Sequence, residues 1–192
     1  MPPDSLFSRD VVTVAQALVG ARLLVAGVGG TIVETEAYHC DDPASHSFIG
    51  QTPRNAAMFG PPGRAYVYRS YGIHWCLNVV CGVPGEGSAV LIRAIKPELG
   101  LEAMRARRGG VADRLLCAGP GRLCQALAVT GAHDGLPLDA APFEFSWPLE
   151  PVALAVDRRI GISKAADAPL RFGLAGSPFV SRPFGRGAAG GL

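Results

Sequence analysis

Apolar residues in this chain fall into short runs broken by glycine and proline. Val11, Val12, Ala15, Leu18 and Val19 recur at helical spacing and predict a helix over about Asp10–Val19, capped by Ser8 and stopped by Gly20. A strand near Leu23–Ala26 and a turn at Gly27–Gly30 lead into a second strand, Ile32–Tyr38. Residues 39–63, with Pro43, Pro53, Pro61 and Pro62, read as a long loop, a length uncommon without a task. Ala65–Arg69 and Ile73–Cys81 read as strands joined by a tight turn at Ser70-Tyr71-Gly72, and Val90–Ile95 as a further strand. Pro97 is expected to open a helix to about Arg108, ended by Gly109-Gly110, and a shorter helix near Arg122–Val129 follows Gly119-Pro120-Gly121. Residues 135–150 look irregular, and strands near 152–157 and 169–174 close the sheet. Residues 1–7 look like a loose arm and the Gly- and Ala-rich stretch 185–192 like a flexible tail. Strands and helices interleave without regular βαβ units. The expectation is one α+β domain over residues 1–192, with a curved, largely antiparallel sheet, flanking helices and a protruding β-hairpin.

The Ile32–Tyr38 strand carries the first chemical signal. Alternation puts Ile32, Glu34, Glu36 and Tyr38 on one face and Val33, Thr35 and Ala37 on the other. Two carboxylates beside an aromatic ring on a rigid element suit a base that activates water. Taken alone they equally suit a solvated strand face, since charged side chains are mostly exposed.

Composition narrows the field. The 192 residues carry a net charge of only +2, but residues 61–128 hold nine Lys/Arg against four Asp/Glu, leaving +5 in the middle third and −3 elsewhere. That local excess fits a phosphate-binding surface, and for Arg105, Arg107 and Arg108 equally an ordinary helix face. The five cysteines (Cys40, Cys76, Cys81, Cys117, Cys124) are odd in number, form no CxxC pair and have apolar neighbours. Free buried thiols in a reducing cytoplasm are expected, with no zinc site and no other metal or cofactor. No basic-then-apolar leader and no apolar run of membrane length occurs.

Six blocks then stand in order: Glu34-Thr-Glu36-Ala-Tyr38; Asp42-Pro-Ala-Ser-His46; Gln51-Thr-Pro-Arg-Asn55; Gly63-Arg-Ala-Tyr66-Val-Tyr68-Arg-Ser-Tyr71-Gly72 running into Trp75-Cys-Leu-Asn78; Ala89-Val-Leu-Ile-Arg93-Ala; and Gly119-Pro-Gly-Arg-Leu-Cys-Gln-Ala-Leu127. In this spacing the chain, from about Leu23 to Ser181, closely resembles the alkyladenine (3-methyladenine) DNA glycosylase family. The resemblance implies a DNA repair enzyme that swings alkylated or deaminated purines out of double-stranded DNA and hydrolyses the N-glycosidic bond, leaving an abasic site. Glu36 matches the general base, Arg93 the arginine that helps hold the attacking water, and a backbone carbonyl around Ile160 a third water ligand. Tyr38 and Tyr68 match the stacking pair, with Ala44 and His46 beside the base and Asn78 on the pocket floor. Tyr71 matches the intercalating wedge, flanked by Ile73 and His74. Thr52, Arg54, Arg64, Arg69 and the amide near Gly121 are candidates for DNA-backbone contacts.

The residues themselves supply reasons for these roles. An oxocarbenium-like sugar needs a nearby carboxylate. An arginine ending the apolar strand Val90–Ile92 is costly unless paired. Flipped bases are held by aromatic stacking. An aromatic at an exposed turn gains nothing from burial. The only lysines are Lys96 and Lys164, and neither stands in a nucleophile position, so a monofunctional glycosylase without Schiff-base chemistry is expected; a monomer is expected as well. Ile49 and Gln51 depart from the family pattern, and Gly173 stands where a tyrosine is frequent, which bears on local packing. The alternatives are a catalytically silent protein that binds damaged DNA, which would not need Glu36 and Arg93, and a small-molecule hydrolase, which would leave Tyr71 and Asn78 without a purpose.

Overall fold

The computed structural model describes residues 4–185. Two short helices, α1 (Asp4–Phe7) and α2 (Val11–Leu18), precede a hairpin of β1 (Arg22–Val25) and β2 (Val28–Tyr38). The hairpin β3 (Ala65–Ser70) and β4 (His74–Cys81) follows, then the long strand β5 (Ser88–Leu99), helices α3 (Leu101–Arg107) and α4 (Pro120–Leu127), and strands β6 (Phe143–Ser146), β7 (Leu154–Asp157) and β8 (Arg171–Leu174). All eight strands join one curled antiparallel sheet in the order β3-β4-β5-β2-β1-β6. β8 pairs with the C-terminal half of β2 and with β7. The expected α+β architecture is therefore the observed one.

β2 organises the molecule. Its first half pairs with β1, its second half with β8, and its whole length with β5. The β2–β5 ladder slips near Val33 and again opposite Arg93, where Glu34 faces Ala94 and Thr35 faces Ile92. Such bulges shift the side-chain alternation by one residue. This corrects the expected faces: Ile32 joins the apolar core with Ala37, and Thr35 donates to the Ala15 carbonyl at 2.8 Å on that same side. Glu34, Glu36 and Tyr38 lie on the opposite face.

Other boundaries move for physical reasons. Asp10, not Ser8, caps α2, accepting from the amides of Val12 and Thr13 at 3.1 and 3.0 Å. Pro97 does not open a helix; it lies in β5 opposite Gly30, and α3 begins after Gly100, whose φ of 72° turns the chain. The supposed loose arm is α1 over residues 4–7, and the supposedly irregular stretch contains β6 paired with β1. Aromatic packing accounts for both, since the Phe7 ring lies 5.4 Å from that of Phe145 and 4.8 Å from Trp147. Of the expected tail, residues 186–192 lie outside the described residues, as do 1–3 of the arm. Among the described residues no helix is long and apolar enough to cross a membrane.

Candidate active site

Glu34 and Glu36 point to the same side of β2, and both side chains are fully buried. Arg93, displaced by the bulge in β5, reaches between them. Its Nε donates to Glu34 Oε1 at 3.1 Å and its Nη1 to Glu36 Oε2 at 3.2 Å. The cost of burying these charges is met by pairing and by further donors. Glu36 also accepts from the Tyr38 hydroxyl at 2.9 Å and from the amide of Ile160 at 2.7 Å. Glu34 accepts from Arg171 Nε at 2.7 Å and from the Ser181 hydroxyl at 2.8 Å and its amide.

Burial pushes the Glu36 carboxyl above the usual carboxylate range, outweighing the Arg93 charge, the Ile160 amide and the Tyr38 hydroxyl that pull it down. A carboxylate raised in this way is a stronger base than a solvated one. Burial, together with the neighbouring Glu36 charge, pushes Tyr38 up, so its hydroxyl stays a donor.

Above this pair opens a cavity of about 770 Å³ with Arg93 and Ile160 in its wall. Tyr38, Tyr68, His46, Ala44 and Asn78 line it. The back of the Tyr38 ring is covered by the Arg159 guanidinium, 4.6 Å from its centroid. Arg159 is buried, pairs with Asp42 and donates to the Ala37 carbonyl at 3.0 Å. It therefore ties the Tyr38 ring to the loop carrying Ala44 and His46. Ala44 is itself fixed by a 2.9 Å bond from its amide to Asp42 Oδ1.

On the other side, β3 puts Tyr66 and Tyr68 on one face, with ring centroids 5.5 Å apart. His46 stands edge-on to Tyr68 at 4.4 Å, and its Nδ1 shares a 2.9 Å hydrogen bond with the Tyr66 hydroxyl. Burial and the nearby Arg54 charge hold His46 below its ordinary pKa, so the ring is neutral at pH 7. Asn78, in β4 opposite Tyr66, donates to the Tyr66 carbonyl at 3.0 Å, which orients its amide in the cavity wall. This is a bond within its own hairpin rather than to a neighbouring loop.

The β3–β4 turn forms the rim. Tyr71 has φ 49° and is 89% exposed, followed by Gly72 and the exposed Ile73 and His74. Tyr71 and Gly72 also line the cavity, so the projecting ring stands at its mouth. His74 packs against Gly121 in the first turn of α4, where a Cβ would come within 2.9 Å of His74.

The charged candidates divide. Arg54 Nη2 donates to the Arg69 carbonyl at 2.9 Å and lines the cavity near the hairpin. Arg69 is exposed, with its guanidinium 5.8 Å from the Trp75 ring. Arg64 donates to the Gly135 carbonyl at 2.8 Å. It precedes β3, about 20 Å of strand from the hairpin tip. The Thr52 amide is already taken by Asn55 Oδ1 at 2.6 Å, so a phosphate there would compete with it. Arg105 lies between Glu102 and Asp113, Arg107 bonds the Ala126 carbonyl and Arg108 the Leu116 carbonyl. Each of the three thus has a partner within α3, α4 or the segment between them.

Ile160 lines the cavity and donates its amide to Glu36. Arg171 and Ser181 were not singled out for chemistry, and Glu34 was given no role apart from Glu36, although Arg171 in an apolar strand carries the same cue that marked Arg93. One cluster of potential metal donors occurs among the described residues, His39, Cys40 and Asp41, and local folding explains it: the Asp41 amide donates to His39 Nδ1 at 3.2 Å.

Comparison with known proteins places this geometry among relatives. The family model described as methylpurine-DNA glycosylase (MPG) matches residues 5–178. A provisionally named 3-methyladenine DNA glycosylase of Nitrosospira multiformis is 62% identical over 182 residues, covering 95% of this chain and 94% of the relative. Proteins of the same provisional name from Agrobacterium fabrum and Rhodopseudomonas palustris (strain BisB18) are 61% and 64% identical, covering 95% and 94% of this chain and 93% and 90% of the relatives.

Proposed function

The chain belongs to the methylpurine-DNA glycosylase family, and on that premise we propose that it swings alkylated or deaminated purines out of duplex DNA and hydrolyses their N-glycosidic bond with a water activated by Glu36. It is a DNA N-glycosylase acting on damaged DNA in repair. The observation that carries the finer reading is the meeting of Glu36 and Arg93 beneath a tyrosine-walled cavity whose mouth bears an exposed tyrosine.

The chemistry follows from the arrangement. The base enters the cavity and stacks on Tyr38 and Tyr68, with the neutral His46 on one edge and Asn78 on the floor. Tyr71 fills the gap left in the duplex, with Ile73 and His74 flanking it. A water held by Arg93 and the Ile160 backbone carbonyl gives a proton to Glu36. Its oxygen forms the new bond to C1′, and the electron pair of the broken N-glycosidic bond leaves with the base. The negative charge of Glu36 also offsets positive charge gathering on the sugar. No lysine attacks C1′, so the product is an abasic site and the strand stays intact; Lys96 is paired with Glu98 at 3.1 Å. Arg54 and Arg69 beside the hairpin, the amides near Thr52 and Gly121, and Arg64 at the far end of β3 would meet phosphates. The protein acts as a monomer in the cytoplasm, where its free thiols stay reduced.

Duplexes carrying one hypoxanthine, ethenoadenine or 3-methyladenine analogue, treated with alkali after incubation, test this reading. Breaks at the lesion with no breaks before alkali are expected. Intact strands for every lesion, with ordinary affinity, would leave a damage-binding protein instead.

A further inference from the structure

Behind Glu36 lies a second layer that the reaction as described does not use. The chain after β8 returns across β2 and places Ser181 against the two buried charges. The Ser181 hydroxyl donates to Glu34 Oε1 at 2.8 Å and accepts from Arg93 Nη2 at 3.3 Å, while its amide donates to Glu34 Oε2. All three nitrogens of the Arg93 guanidinium are thereby assigned: Nε to Glu34, Nη1 to Glu36 and Nη2 to Ser181.

The returning segment is itself anchored. Arg171 joins Glu34 to the Arg182 carbonyl, and the Phe184 ring lies 3.9 Å from the Arg171 guanidinium. Phe184 occupies the space a side chain at Gly173 would need, since a Cβ there would meet its ring at 2.4 Å. The Gly185 amide closes the segment onto Asp157 Oδ2 at 3.0 Å. These contacts lie beyond residue 178, where the family model's match ends.

We propose that Ser181, carried by this C-terminal strap, is a positioning residue for the glycosylase reaction, locking Arg93 through Glu34 in the orientation that serves Glu36. An arginine holding a water beside a base must be placed closely, because a misplacement of about 1 Å costs up to about a hundredfold in rate. Glu34 and Glu36 hold Nε and Nη1 of Arg93, one carboxylate each, and leave Nη2 free to drift without the Ser181 hydroxyl. The Ser181 hydroxyl removes that freedom and also spends a donor on Glu34, so the Arg93 charge is shared less evenly and stays directed at Glu36. The inference rests on the glycosylase reading.

The test compares Ser181→Ala with Ser181→Thr, which keeps the hydroxyl, in the full chain. Single-turnover cleavage of a lesion duplex is expected to slow about ten- to hundredfold in Ser181→Ala, with affinity for an abasic-analogue duplex unchanged. The acid limb of its pH–rate profile should move to higher pH, because Glu36 loses part of the Arg93 charge that lowers its pKa. Ser181→Thr should restore rate and limb to near wild type. Independently of turnover, the Arg93 Nε–H resonance should exchange slowly in wild type and in Ser181→Thr, and faster in Ser181→Ala. Unchanged exchange in Ser181→Ala, or an active Ser181→Ala with an unmoved acid limb, overturns the positioning role. A wild type inactive on every lesion sinks the glycosylase reading instead, and the exchange measurement still decides the positioning role.

Discussion

Glu36 has no exposed surface, yet it touches three groups that line a cavity, and this combination sets how it titrates. Its pKa is raised, chiefly by burial. As a base it must be deprotonated, so activity should fall as pH drops through that raised value. The acid limb of kcat should lie above the range of an ordinary glutamate, and in Glu36→Gln it should vanish with the activity. The same shift has a consequence for folding. The folded state holds the Glu36 proton more tightly than the unfolded chain, so this group's contribution to stability is full at pH below the ordinary glutamate range. It is lost as pH rises through the folded value. Arg93→Lys keeps the charge but not the fork that spans Glu34, Glu36 and Ser181, and we expect turnover to fall by about two orders of magnitude with DNA affinity retained. The pairing of Glu36 with Arg93 was legible because a carboxylate in a strand and an arginine closing an apolar run each need an explanation. The role of Glu34 was not, because one-residue bulges in both strands decide which side chains meet Arg93, and no residue type announces them.

At the scale of elements, the β3–β4 hairpin and the strap over β8 each rest on one close approach at a glycine. Tyr71 is exposed at the hairpin tip, so Tyr71→Ala should leave the melting temperature unchanged while weakening binding to a lesion duplex. At Gly121 an added Cβ would meet His74 at its Cβ and Cγ, the root of the side chain, which cannot swing aside. Gly121→Ala should therefore displace the hairpin base and lower lesion affinity, although alanine favours the helix itself. Gly173→Ala meets the Phe184 ring. Overpacking of this kind costs about 1–3 kcal/mol, and at this chain length each kcal/mol lowers the melting temperature by roughly 2–4 °C. Calorimetry of the purified variant reads it directly. The hairpin was legible from alternating apolar residues around Tyr71-Gly72. Helix α1 and strand β6 were not, because their order comes from Phe7, Phe145 and Trp147 meeting across the fold, a contact that no local pattern announces. The Gly173 position looked like a packing defect in sequence; the space is filled by a ring eleven residues further on.

For the whole molecule, the small net charge conceals where positive charge is available. Three of the nine cations in the middle third are committed internally: Arg93 to the two glutamates, Arg105 to Glu102 and Asp113, Lys96 to Glu98. Counting residues along the chain could not separate these from the arginines near the hairpin. The distinction is measurable through salt dependence, since each phosphate neutralised adds about 0.9 to the slope of log K against log salt. Arg69→Gln should reduce that slope by about one, and Arg105→Gln should leave it unchanged. The architecture, by contrast, was readable: interleaved strands with no βαβ repeat, and a loop of unusual length, from which Ala44, His46 and Arg54 reach the cavity.

The most direct test of the whole account is a single-turnover comparison of wild type and Glu36→Gln on one hypoxanthine-containing duplex, with affinity measured in parallel. The glutamine keeps the shape of the side chain and its place beside Arg93 but cannot take a proton from water. Binding within about threefold of wild type, with base release lost by three orders of magnitude or more, is the predicted result. Base release by Glu36→Gln at a rate near wild type would contradict the assignment of the base, and with it the mechanism built on β2.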